Sequence, residues 1–220
     1  MLRSIIIALT LALPGAMATH ARAEQVGAEP YPNGIGVGVG PHIFLLEDTP
    51  LGELLQGYGL GFTTGPAFTL SYDRRMLPWL SVGGTLAFRY SEERPTKGTA
   101  GIRGLDSGGS EAGLYMLTPR VFGRASFYTP DNGIDGAALE MGVELSLGAG
   151  ATLLGWRGVT DAAAHFELGA ALLWSVHIGC WAATLRIIHQ VMWQEGIGPL
   201  DVGFGPSWMP TIDLRLEKRW

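Results

Sequence analysis

Ten charged side chains stand out in this 220-residue chain because they interrupt long apolar stretches: Asp73, Arg89, Arg120, Arg124, Glu140, Glu144, Glu167, Arg186, Asp213 and Arg215. Five cations against five anions can pair through charge-assisted hydrogen bonds, and an arginine fork can bridge two carboxylates. Glu140 and Glu144 invite comparison with the acid–base couple of a glycosidase. On an extended strand their spacing is about 13 Å, too far for two carboxylates to serve one scissile bond. His42, His165, His177 and His189 are dispersed without metal-ligand spacing, so neither a metal nor any other cofactor is expected. Gly34 to Gly40 (GIGVGVG) superficially matches a dinucleotide loop, but no crossover helix follows it. Small residues there make room for bulky inward arginines or let the strand bend.

The elements that must position these charges show period 2. In 80–90, Leu80, Val82, Gly84, Leu86, Phe88 and Tyr90 alternate with Ser81, Gly83, Thr85, Ala87 and Arg89. Segment 137–148 repeats the pattern, and a helix cannot explain why Met141, Val143 and Leu145 separate its glutamates. Six more segments follow: 34–44, 66–74, 114–127, 164–177, 181–193 and 208–220, with Leu173 alone spoiling the polar face of its strand. Most of these eight strands are longer than the ~5–6 residues of a typical globular strand and match the ~9–11 of a tilted membrane-spanning one. The links alternate long and short. By these strand bounds the links after the first, third, fifth and seventh strands are long, at about 21, 23, 15 and 14 residues, as in barrels whose outer loops exceed their inner turns. Short ones are expected at 75–78, 129–136 and 178–180.

Composition agrees with an all-β chain and excludes other classes. Glycine, at 33 residues, is about twice the ~7% of ordinary proteins. Lysine is nearly absent (Lys97 and Lys218), one cysteine excludes a disulfide framework, and a net charge of −5 without a basic tract argues against a nucleic-acid partner. Residues 1–23 read as a signal peptide: Arg3, the apolar run Ile5 to Leu13, and Ala21-Arg22-Ala23 as cleavage site. That run is shorter than the ~20 residues of a spanning helix. Residues 24–33 are then a short periplasmic segment and 34–220 the barrel.

On these strands and links, the chain resembles the small eight-stranded antiparallel up-and-down transmembrane β-barrels of Gram-negative outer membranes. The resemblance is most specific at Ile212, Leu214, Leu216 and Trp220, which match the alternating apolar and terminal aromatic residues that the barrel-insertion machinery reads in that family. It implies an outer-membrane location, with membrane lipids as partners and the long loops as possible sites for an extracellular ligand. Trp79, Tyr90, Trp181, Trp193, Trp208 and Trp220 lie near strand ends, as aromatic girdles about 25 Å apart require. Placing the ten charges inward avoids ~2–4 kcal/mol for each arginine otherwise set on the lipid face at midplane. Eight strands leave an interior that side chains fill, so a structural plug is favoured over a narrow ion path. His189, on the outward set with Val191 and Trp193, resembles the histidine of outer-membrane lipid A deacylases. Those enzymes carry a serine two residues on, where this chain has Val191. Without a nucleophile, catalysis is not expected, and a structural or surface-interaction role is.

Overall fold

Alternation of apolar and polar side chains governs each described segment, and each forms a strand. The computed structural model describes residues 32–43, 64–92, 113–129, 137–156, 159–194 and 204–220. Its strands are β1 (Asn33–Ile43), β2 (Thr64–Leu77), β3 (Leu80–Glu92), β4 (Gly113–Thr129), β5 (Ala137–Trp156), β6 (Val159–Ile178), β7 (Trp181–Gln194) and β8 (Phe204–Arg219). Every neighbour is antiparallel, in the order β1 to β8, and β1 pairs with β8 from Gly34↔Arg219 to His42↔Thr211. Closure leaves no sheet edge, which is what a strand-built structure in lipid requires. Asn33 and Trp220 fasten the seam at the end of the short turns, exchanging backbone bonds of 3.1 and 3.0 Å.

The burial pattern is inside out. Outward sets such as Ile35, Val37 and Val39 on β1, or Ile212, Leu214 and Leu216 on β8, are exposed, whereas the arginines and carboxylates between outward positions are buried. In water this arrangement would forfeit the hydrophobic effect. In a bilayer it turns the apolar face to hydrocarbon and lets the charges pair internally.

Two short connections are as tight as hairpins allow. Pro78-Trp79 joins β2 to β3 and Gly179-Cys180 joins β6 to β7. Gly179 sits at φ 59°, a left-handed conformation that a Cβ disfavours. Each turn is shorter than expected, because strand pairing continues to Leu77↔Leu80 and Ile178↔Trp181. The connection at 130–136 lies outside the described residues, as do the signal segment and nearly all of 24–33; β1 starts at Asn33.

The expected long link after the fifth strand is corrected. β5 runs to Trp156 and β6 starts at Val159, paired down to Trp156↔Val159, so most of that link is strand. The alternation fades after Gly148, at Ala149-Gly150-Ala151. Gly148 and Gly150 face inward, where a Cβ would stand 2.7 Å from the Arg120 Cγ and 2.9 Å from the His165 ring. They are strand positions emptied for neighbours. At 20 residues each, β5 and β6 are about twice the length that spans a bilayer, so their hairpin projects past the membrane on the long-loop side. The last long link is shorter than expected too, with β7 ending at Gln194 and β8 starting at Phe204. The remaining long links, 44–63 and 93–112, lie outside the described residues. So do Lys97 and the other charges of the polar loop after β3, apart from Glu92.

Candidate functional site

Antiparallel register and the inward parity of alternate residues bring all ten sequence-predicted charges into the lumen, each buried to 7% exposure or less. They fall into two groups. Toward the long loops, Glu167 on β6 accepts from Arg89 of β3 through both oxygens (2.5 and 3.0 Å) and lies 3.0 Å from Nε of Arg120 on β4. Thr118 donates to the same carboxylate at 3.3 Å, and Arg120 reaches Gln190 at 3.3 Å. Toward the short turns, carboxylates are shared in a chain. Glu144 joins Arg124 (3.2 Å) to Arg186, Arg186 reaches Asp213 (3.0 Å), and Asp213 lies 3.4 Å from Arg215.

Sequence reasoning left two members out of the network. Glu217 lies 3.5 Å from Arg215 and 3.8 Å from Arg124, and Arg219 contacts Glu217 at 3.3 Å and Asp73 at 3.4 Å. Both share the inward parity of Asp213 and Arg215, and that parity was the signal for including them. With them the lumen holds six arginines and six carboxylates among the described residues. Three histidines also point inward. His177 pairs with Glu140 at 2.7 Å; His165 contacts Thr118 (2.8 Å) and Thr152 (3.0 Å); His42 contacts Ser91 at 2.9 Å. Among the described residues no group of three acids, histidines or cysteines has metal-holding geometry.

Glycines on β1 face the short-turn group. A Cβ at Gly36 would lie 2.7 Å from Cγ of Glu217 and 3.0 Å from both Arg215 and Ser71, and one at Gly38 would overlap Asp213 and Thr69. This glycine run therefore accommodates ion pairs and not a nucleotide. Apolar side chains fill other inward positions: Met116, Leu173, Met192 and Met209 are all at most 1% exposed.

Most of the aromatic residues expected in the girdles lie on the outer wall. Trp181 and Trp220 are exposed at the short-turn end, where Lys218 lies 5.9 Å over the Trp181 ring, while Trp79 occupies the first tight turn. Toward the loops, Tyr90 packs on Tyr115 (4.8 Å) and Trp193 on Phe166 (5.9 Å). Trp208 departs from the rim. It pairs with Val191, inside the level of Trp193, and stacks on His189 at 5.5 Å and 15°. These two rings form part of an apolar groove on the outer wall, spanning β4 to β8. No serine lines up with His189 on its strand, since Val191 occupies the second position after it.

No known family profile and no curated protein matches the chain. Solved structures of similar shape include Neisserial surface protein A, at 10% identity over 86% of this chain and 97% of that one, with a TM-score of 0.49. Another is the attachment invasion locus protein Ail of Yersinia pestis in complex with the heparin analogue sucrose octasulfate, at 12% identity over 85% and 99%, TM-score 0.44. A third is the N-terminal β-barrel domain of Pseudomonas aeruginosa OprF, at 11% over 85% and 98%, TM-score 0.35. Closed topology, strand length and inside-out burial rest on this chain itself. It is a small eight-stranded β-barrel of the outer-membrane type, its apolar face set against the outer membrane and the six arginines and six carboxylates of its lumen turned inward.

Proposed function

We propose that the barrel is a sealed structural element of the outer membrane that holds its long loops and the β5–β6 hairpin at the cell surface. The reading is carried by the lumen, where guanidinium–carboxylate contacts cross from β3 to β6 and from β4 to β8. A path for ions would have to part pairs that are buried and hydrogen-bonded, and leaving one such charge uncompensated costs about 3–5 kcal/mol. Loops on a rigid scaffold are the usual carriers of recognition, which makes the outer end the side for a surface ligand. We assign the opposite end to biogenesis, with Ile212, Leu214, Leu216 and Trp220 as the segment read by the insertion machinery.

The test is conductance of the full-length protein in a planar lipid bilayer. A sealed lumen gives no steady channels. Steady channels altered by Arg120→Ala or Glu144→Ala would replace this reading with that of a narrow pore.

A further inference from the structure

Positive charge on the outer wall is confined to one sector. Among the described residues, Arg74 on β2 and Lys218 on β8 are the cations with outward parity, and both are exposed at the short-turn end. Every other described arginine has the inward parity. The acids nearest that end among the described residues, Asp73, Glu140 and Glu217, are buried in the lumen and do not compensate the pair. Elsewhere the same end of the wall carries exposed apolar side chains, such as Leu139 on β5 and Val176 and Ile178 on β6. Neither cation has an ion-pair partner among the described residues.

Register sets the two cations on either side of β1. Arg74 pairs with Asn33, and Lys218 with Ile35. Their Cα atoms are thus two strand spacings and two residues apart, or about 12 Å, a gap that two long side chains close from opposite sides. A strand tilt of ~35–45° offsets the two-residue stagger, so both stand at one depth. Between them Ile35 is exposed, and Tyr72 donates to Oδ1 of Asn33 at 3.1 Å. Lys218 lies 5.9 Å over the Trp181 ring, and Trp220 exchanges backbone bonds with Asn33. Aromatic rings of this kind mark the headgroup level. Short turns face the periplasm, so the headgroups are those of inner-leaflet phospholipid. An arginine fork takes phosphate oxygens in pairs, and a lysine adds a point charge. Two cations without an acid favour a lipid of net negative charge over a zwitterionic one, whose ammonium group they repel.

We propose that Arg74 and Lys218 hold one phosphate of an anionic inner-leaflet phospholipid across β1, over Ile35, with its acyl chains along Val37 and Val39. The site is one of binding only. It rests on the barrel being an integral membrane protein and not on the state of its lumen. The test is native mass spectrometry of the full-length protein folded into vesicles of phosphatidylethanolamine and phosphatidylglycerol, then taken up in mild detergent. Heat-modifiable gel mobility reports the barrel independently. Wild type is expected to retain phosphatidylglycerol in preference to phosphatidylethanolamine. Arg74→Gln and Lys218→Gln should each weaken that preference roughly fivefold, the share of one cation at a charged surface, and the double variant roughly thirtyfold. Lys218→Arg, which keeps the charge, should retain it. Excess inorganic phosphate should leave the bound lipid in place; its displacement would assign the site to the free ion and overturn the lipid. All these changes face outward and leave the lumen intact; if Lys218→Gln does not fold, Arg74→Gln decides. No preference in wild type, or an equal preference in the folded glutamine variants, would overturn the site while leaving the barrel standing. A wild-type chain without heat-modifiable mobility would overturn the barrel, and the site with it.

Discussion

Glu167→Gln is the most searching test of the lumen, because it keeps the side chain's volume and removes its charge. Glu167 accepts from Arg89 at 2.5 and 3.0 Å and lies 3.0 Å from Arg120. The amide leaves two buried guanidiniums facing each other. Removing one partner of a buried ion pair costs about 3–5 kcal/mol. The two pairs share one carboxylate and do not add, so the expected loss stays in that range and does not double. In equilibrium terms the folded-to-unfolded ratio falls by about a hundredfold to several thousandfold. Urea titration of the protein in lipid vesicles, followed by gel mobility, reads this directly. A second arm replaces the cluster by apolar residues of similar size (Arg89→Met, Arg120→Met and Glu167→Leu together). That variant should recover most of the loss, since a packed apolar substitute for buried charges is often neutral or stabilising. If Glu167→Gln lies within about 0.5 kcal/mol of wild type, the pairs behave as solvated surface pairs do. The lumen is then wet, and the reasoning behind a sealed barrel fails.

Gly38→Val should prevent or strongly weaken barrel closure in the same titration, by about 1–3 kcal/mol for an overpacked site, because its Cβ would overlap Asp213 and Thr69; Val39→Leu, one residue away on the exposed face, should stay within about 0.5 kcal/mol. Leu70→Arg, on the lipid side of β2, should cost about 2–4 kcal/mol in vesicles if Leu70 lies near midplane, and an unchanged urea midpoint would place that face in water. Arg186→Lys should cost about 1.5–3 kcal/mol, because Arg186 uses separate nitrogens for Glu144 and Asp213 and an ammonium is a point charge without that fork; equal stability of the lysine variant would show that the bridge is not needed.

Period 2 is a local property, so strand identity and the facing of each residue could be read from the chain one segment at a time. Strand length could not, because it depends on neighbours distant in sequence. Gly148 ends the legible alternation of its segment, and Gly150 beyond it, between Ala149 and Ala151, blurs the pattern. In the barrel both glycines leave room for Arg120 and His165, while Thr152 beyond them bonds His165 and Gln194 at 3.0 Å each. The hairpin of β5 and β6 therefore extends well past where the pattern fades. Trp208 shows the same limit: its place near a predicted loop suggested the rim, and only its pairing with Val191 puts it within the groove wall.

Pairing within the lumen was still less legible than facing. Glu140 and Glu144 look like a couple in the sequence, but the barrel gives Glu140 to His177 and Glu144 to Arg124 and Arg186. Two of the lumen's contacts follow from neighbouring-strand register alone, since Arg124↔Glu144 and Arg186↔Asp213 are direct partners. The contacts that cross the interior follow from nothing local. Arg89 and Glu167 are on β3 and β6, which are not neighbours, yet they meet through two bonds of 2.5 and 3.0 Å. That is possible only where the opposing walls are no further apart than two extended side chains. Strand number sets this width: eight strands bring the walls within reach of each other, whereas a larger barrel would leave each charge to water or to its own wall. The strand count, read from alternation, and the cross-lumen pairing, invisible to it, are therefore two consequences of the same closure.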